Sequence, residues 1–244
     1  MARERYLLDD TEDTIHQNQI VLTTAKEKRA NWWWYNKRIV LAVSFFVIVI
    51  GVSVFSALSQ AKPDYTVAIM TEYTFPGELQ EDVAAMLERY GEDLNGDGKV
   101  VVDVQHYHFL SNVNTEYEAN ELQAAYVRFA ADASGGDCML YFYDDIAYAY
   151  FEANDLGDYF APAGALTEEY ALWADVPGLN TLVVDAYAST GATTESALAV
   201  LGRLRVSIRA EDGVAFKKDS VKEYRQECIE MLDRLLRNEP TAEE

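Results

Sequence analysis

Between Ile39 and Leu58 the chain runs for twenty residues without a charge: Ile39-Val-Leu-Ala-Val-Ser-Phe-Phe-Val-Ile-Val-Ile-Gly-Val-Ser-Val-Phe-Ser-Ala-Leu58. At about 1.5 Å per residue such a helix covers roughly 30 Å, the thickness of a bilayer core. The run therefore predicts one transmembrane helix at 39–58. Lys26, Lys28, Arg29, Lys37 and Arg38 precede it, and only Lys62 follows closely. That asymmetry predicts a single-pass protein of the cell membrane, N-terminus cytoplasmic and C-terminal domain extracytoplasmic. Trp32-Trp33-Trp34-Tyr35 suits an aromatic belt at the cytoplasmic interface. The rival is a signal peptide cleaved after Ala61, in the small-residue context Ser59-Gln60-Ala61. The apolar run is longer than the usual signal core of ~7–15 residues, which favours the anchor.

This divides the chain into a cytoplasmic tail (1–38), the transmembrane helix (39–58), a linker (59–64), an extracytoplasmic domain (65–238) and an acidic C-terminal tail (239–244). Within the first tail, Thr11 to Lys28 has the composition of a short helix or of a disordered segment. After position 38 there are 13 basic and 35 acidic residues, a net charge of −22. A surface of that sign repels nucleic acid, whose binding needs Lys and Arg on phosphate. It attracts cations and basic partners. Cys138 and Cys228 form no CxxC pair, which excludes a zinc ribbon. An extracytoplasmic domain could bridge them; both sit in apolar runs and read rather as free buried thiols.

Periodicity gives the fold class. Tyr65 to Thr71 reads as a buried strand, and Glu78 to Tyr90 as a helix with Leu79, Val83, Met86, Leu87 and Tyr90 on one face. Val100 to Leu110 is a second strand. Asn114 to Asp132 is a second helix, with Leu122, Ala125, Tyr126 and Phe129 inward, and Cys138 to Tyr143 is a third strand. The order β-α-β-α-β predicts a single α/β domain with a mainly parallel sheet. Further on, short helices are predicted at Ile146 to Ala153 and Thr167 to Trp173. A strand at Thr181 to Ala186, a helix at Ala192 to Leu201, a strand at Leu204 to Ile208 and a helix at Lys217 to Leu236 follow.

One motif carries chemistry. Asp93-Leu-Asn95-Gly-Asp97-Gly98-Lys99 places oxygen ligands at positions 1, 3 and 5 of a calcium loop, with glycine at the sharp turn and the Lys99 carbonyl at position 7. Position 12 is Val104 rather than the bidentate Glu, and Asp103 stands at 11. The expected metal ligands are Asp93, Asn95, Asp97 and Lys99, with Ca2+ as a structural brace; the alternative is a metal-free Asp/Asn/Gly turn. His106 and His108 share a strand face and read as ordinary surface or half-buried residues rather than a zinc pair. Asp144-Asp145 ends the third strand, where open α/β sheets bind ligands. With Tyr141, Tyr143, Tyr148 and Tyr150 nearby, the pair is a candidate ligand site, weighed against plain helix capping. No nucleophile elbow, Walker loop or dinucleotide fingerprint occurs, so the reading leans away from an enzyme and assigns no catalytic residue.

The stretch from Tyr65 to Tyr143 resembles the first lobe of extracytoplasmic solute-binding-type proteins. The likeness rests on Val67-Ala-Ile-Met70, the helix after it, the loop from Asp93 to Val102, and the strand ending in Asp144-Asp145. The chain also resembles uncharacterised membrane-anchored proteins of Gram-positive bacteria that carry an NGDGK loop, here Asn95 to Lys99, before a strand. The resemblance implies a tethered binding or interaction module whose partner is a small solute or an envelope protein. Solute-binding members have two full lobes around a cleft, and the region after Tyr143 is short for a second. The alternatives are a membrane-anchored envelope enzyme using Asp144 or Asp145, and a structural subunit of a membrane complex.

Overall fold

The computed structural model describes residues 24–59, 62–154, 156–184, 187 and 191–241. The expected helix or disordered stretch from Thr11 up to residue 23 and the cleavage position at Ala61 lie outside these. The chain forms two compact units, residues 1–60 and 61–244.

In the first unit Thr24 opens helix α1 (Ala25–Ser59). The Thr24 hydroxyl accepts the Glu27 N–H at 3.3 Å and the Glu27 carboxylate accepts the Thr24 N–H at 3.3 Å, a reciprocal cap. The helix therefore begins well before the uncharged run. Its 35 residues give a length of about 52 Å, so polar turns extend the apolar segment. Trp32, Trp33, Trp34 and Tyr35 are all exposed, and the Lys37 ammonium stands 4.1 Å from the Trp34 ring centroid. The helix is long and apolar enough to cross a membrane, a property that anchors and signal sequences share.

The second unit is an α/β domain. Strands β1 (Tyr65–Thr71), β2 (Val102–His108) and β3 (Leu140–Tyr143) alternate with helices α2 (Gly77–Glu88) and α3 (Glu116–Gly135). Helix α4 (Asp145–Ala153), strand β4 (Ala171–Leu172), helix α5 (Thr194–Leu201), strand β5 (Arg205–Ile208) and helix α6 (Asp219–Arg237) follow. The sheet order is β2-β1-β3-β5-β4. β1 pairs parallel with β2 and with β3, while β3–β5 and β5–β4 are antiparallel. The sheet is thus mixed, and the parallel part ends at β3. The physical reason is the connection. Between α4 and α5 lie single-turn 3₁₀ helices and the two-residue β4 rather than a crossover helix. The chain re-enters the sheet at the C-terminal end of β3, with Arg205 opposite Tyr143.

β1 is an interior strand, and its nearly unbroken apolar run is buried on both faces. One face packs Val67, Ile69, Phe142 and Val206 against Val83 and Leu87 of α2 and Met231, Leu232 and Leu235 of α6. The other packs Met70, Tyr141 and Tyr143 against Phe129 of α3 and Phe151 of α4. In α3 only Phe129 is buried; Leu122, Ala125 and Tyr126 are half-buried.

Two expected elements differ. Thr167 to Trp173 contains β4, and Trp173–Asp175 forms a 3₁₀ turn in place of a helix. Leu179–Thr181 is also a 3₁₀ turn, and residues 182–184 join no strand; Asp185 and Ala186 lie outside the described residues. The acidic C-terminal segment is held at Thr241. Its N–H donates to the Arg89 carbonyl at 2.9 Å and its hydroxyl to the Gly91 carbonyl at 2.6 Å.

Candidate functional site

The loop between α2 and β2 is organised by carboxylates. Asp93 Oδ1 accepts the N–H groups of Gly96 at 2.7 Å and Asp97 at 3.2 Å, and its Oδ2 accepts that of Gly98 at 2.7 Å. Asn95 Oδ1 accepts from Asp97 N–H and Asp97 Oδ1 from Lys99 N–H, both at 2.9 Å. Gly96 and Gly98 hold φ of 75° and 86°, left-handed values at which a side chain would be strained. The Gly98 N–H, helped by those of Gly96, Asp97 and Asn95, holds the Asp93 carboxyl below its ordinary pKa. A hard cation needs such ionised oxygens.

Asp93, Asn95, Asp97 and the Lys99 carbonyl therefore share one tight turn. Four oxygens are fewer than calcium's usual six to eight, and water would complete the set. Among the described residues no three His, Cys, Asp or Glu side chains group around a common metal position. Asp103 accepts a hydrogen bond from the Gln105 side chain, and Val104 is buried. The sequence reading missed Asp64. Its carboxylate accepts Leu94 N–H at 2.9 Å, Asn95 N–H at 3.0 Å and Val101 N–H at 2.9 Å, with only 6% of the residue exposed. It lies immediately before β1, and β1–β2 pairing carries it to the loop.

At the other end of the strands, β1 stands between β2 and β3. The chain leaves β1 towards one neighbour and returns on its other side, which makes the ends of β1 and β3 a topological switch point. A pocket of about 540 Å³ opens there, lined by Tyr73, Asp144, Asp145, Ile146, Val200 and Arg203 among others. Asp144 Oδ1 caps α4 by accepting Ile146 N–H at 3.0 Å and Ala147 N–H at 2.9 Å, while its Oδ2 accepts Glu72 N–H at 2.7 Å. Asp145 is exposed and pairs with Arg205 at 2.8 Å. That guanidinium sits 4.3 Å from the Tyr148 ring centroid and 5.0 Å from that of Tyr170. Its Nη1 and the Tyr73 hydroxyl are buried without a hydrogen-bond partner. Burial, with the Asp144 charge behind it, pushes the Tyr73 phenol up to about 12, so it stays a proton donor at neutral pH.

The structure thus brings Asp144 and Asp145 to one pocket but separates their tasks: the first is consumed by backbone donors, the second faces solvent. Tyr141 and Tyr143 are core residues. Tyr73, Arg203 and Arg205 were not legible as site residues, because isolated residues of these types carry no motif.

The histidines stack at 6.1 Å. Thr71 donates its only hydroxyl proton to the Tyr73 carbonyl at 2.8 Å, so His106 Nε2 donates to Thr71 Oγ1 at 2.9 Å. His108 uses Nδ1 on Glu121 at 2.9 Å and Nε2 on the Glu72 carbonyl at 2.7 Å. With these nitrogens engaged the pair braces the strand ends. Neither a protein-family model, nor a curated protein, nor a solved structure matches this chain.

Proposed function

We propose that the chain is a membrane-tethered, extracytoplasmic binding or interaction module with a calcium-braced loop, taking a small solute or an envelope protein as partner. The observation that carries the reading is the switch-point pocket. It has a mixed apolar and polar lining, and the buried hydroxyl of Tyr73 in that lining lacks a partner. Pockets of this kind bind ligands by burying apolar surface and fixing orientation with few polar groups. The solute-binding likeness of the first three strands is in keeping with it. So is the basic flank before the apolar helix, which favours a cytoplasmic N-terminus. Catalysis at Asp144 gains no support, since its carboxylate is already filled by three backbone donors.

Two readouts on the full-length chain test the proposal. Protease added to intact cells should digest the acidic domain and spare the N-terminal tail. In detergent, a panel of sugars and basic peptides should include one that raises the melting temperature, and Val200→Trp should abolish that rise by filling the pocket. Complete protection of the domain in intact cells would refute the topology. A panel hit unaffected by Val200→Trp would refute the pocket.

A further inference from the structure

Arg209 follows β5 at the end of the sheet away from the switch point, and it is 6% exposed. Its backbone is fixed on both sides: its N–H donates to the Met139 carbonyl at 2.9 Å, and its carbonyl accepts Arg225 Nε at 2.6 Å. The guanidinium lies between two rings, 5.1 Å from the Tyr159 centroid and 5.2 Å from that of Phe216. One donor, Nη1, reaches the Ala133 carbonyl in the last turn of α3 at 2.5 Å. The other donors have no protein acceptor, and no carboxylate lies within ion-pair distance, among the described residues. Burying a guanidinium without a counter-charge is costly, and its planar fork matches a carboxylate edge.

The guanidinium faces a pocket of about 340 Å³ lined by Leu156, Asp158, Tyr159, Ala210, Asp212 and Gly213. We infer that this pocket is a second binding site, which takes a small zwitterion of the amino-acid type, its carboxylate on Arg209 and its ammonium towards Asp158 and Asp212. Two charge arguments select the zwitterion over a simple anion. The chain after residue 38 carries a net −22 and repels free anions, whereas a neutral zwitterion approaches without that barrier. The two exposed acids at the pocket would oppose a second negative group and welcome a positive one.

Calorimetry on the full chain in detergent micelles tests this, with L-alanine, acetate, methylamine and inorganic phosphate as probes. Alanine should bind, acetate more weakly, methylamine and phosphate not measurably. Arg209→Met should weaken alanine at least about tenfold, the scale of a lost charged hydrogen bond. Should that variant fail to fold because α3 loses its brace, Gly213→Asp decides. A Cβ on Gly213 would stand 3.9 Å from Arg209 Nη2; the site's φ of 92° strains any side chain, and aspartate is among the residues that adopt left-handed backbone more readily than most. Its carboxylate should occupy the fork and abolish alanine binding. The exposed Asp158→Asn should weaken alanine and leave acetate unchanged. Absence of alanine binding at about 10 mM, or equal binding to Gly213→Asp, would overturn the site. Binding of phosphate in preference to alanine, or equal losses for alanine and acetate in Asp158→Asn, would overturn the zwitterion.

Discussion

Asp144 Oδ2 accepts the backbone N–H of Glu72 at 2.7 Å, tying the end of β1 to the start of α4 across the switch point. The same carboxylate caps α4 through Ile146 and Ala147. One side chain therefore satisfies three backbone donors from two elements. Asp144→Ala should destabilise the domain by about 1–3 kcal/mol, as loss of a cap plus an unsatisfied donor implies. Asp145→Ala removes an exposed ion pair and leaves Arg205 between its two tyrosines, so its cost should stay within about 1 kcal/mol. Urea melts of the full chain measure both, and equal losses would contradict the division of labour.

Asp64 and Asp93 hold different backbone donors of the α2–β2 loop, one buried and one exposed. Asp64→Ala strands three backbone N–H groups and should cost about 2–3 kcal/mol with or without calcium. If the loop binds calcium, a concentration ten times Kd raises stability by about 1.4 kcal/mol, and Asp97→Ala removes that increment. Thermal melts in EDTA and in calcium separate the two residues. A calcium effect that persists in Asp97→Ala would place the ion elsewhere.

The contrast between these two aspartates shows what sequence could reveal. Asp93, Asn95 and Asp97 were visible because a loop motif is local, with its spacing and glycines printed in the chain. Asp64 lies 29 positions before Asp93 in the numbering, and only strand pairing brings it there. The periodicity of α2 named residues that are buried, since one apolar stripe on a helix has one way to face a core. The direction of β5 was not readable, because a short apolar run looks the same parallel or antiparallel. Arg205 between Tyr148 and Tyr170 joins three separate segments, and no spacing announces it.

His106 links stability to pH. Burial, with the neighbouring His108 charge, lowers its pKa from an ordinary 6.5 to about 4. The ring is therefore neutral in the fold and binds a proton more readily once unfolded. Its contribution is fully present above the unfolded pKa near 6.5 and is lost as pH falls towards about 4. The loss should amount to roughly 1–3 kcal/mol over that window. His106→Asn should flatten this part of the stability profile relative to the unaltered chain, which denaturant melts at several pH values would reveal. An unchanged slope would show that other groups carry the acid sensitivity.

Cys138 and Cys228 lie on opposite sides of the sheet, the first in the tyrosine-rich cluster and the second in the cluster under α6. Both are free, and each is 1% exposed. Burial pushes both thiols up to about 12, and only the thiolate is nucleophilic. At pH 8 the reactive fraction is therefore about one part in ten thousand, before steric exclusion is counted. A maleimide or disulfide reagent should leave the native protein unmodified for hours and label both positions on denaturation. Reducing agent should leave the melting temperature unchanged. Rapid labelling of the native chain would mean that one of the two clusters opens readily, and Cys138→Ala against Cys228→Ala would show which face of the sheet it is.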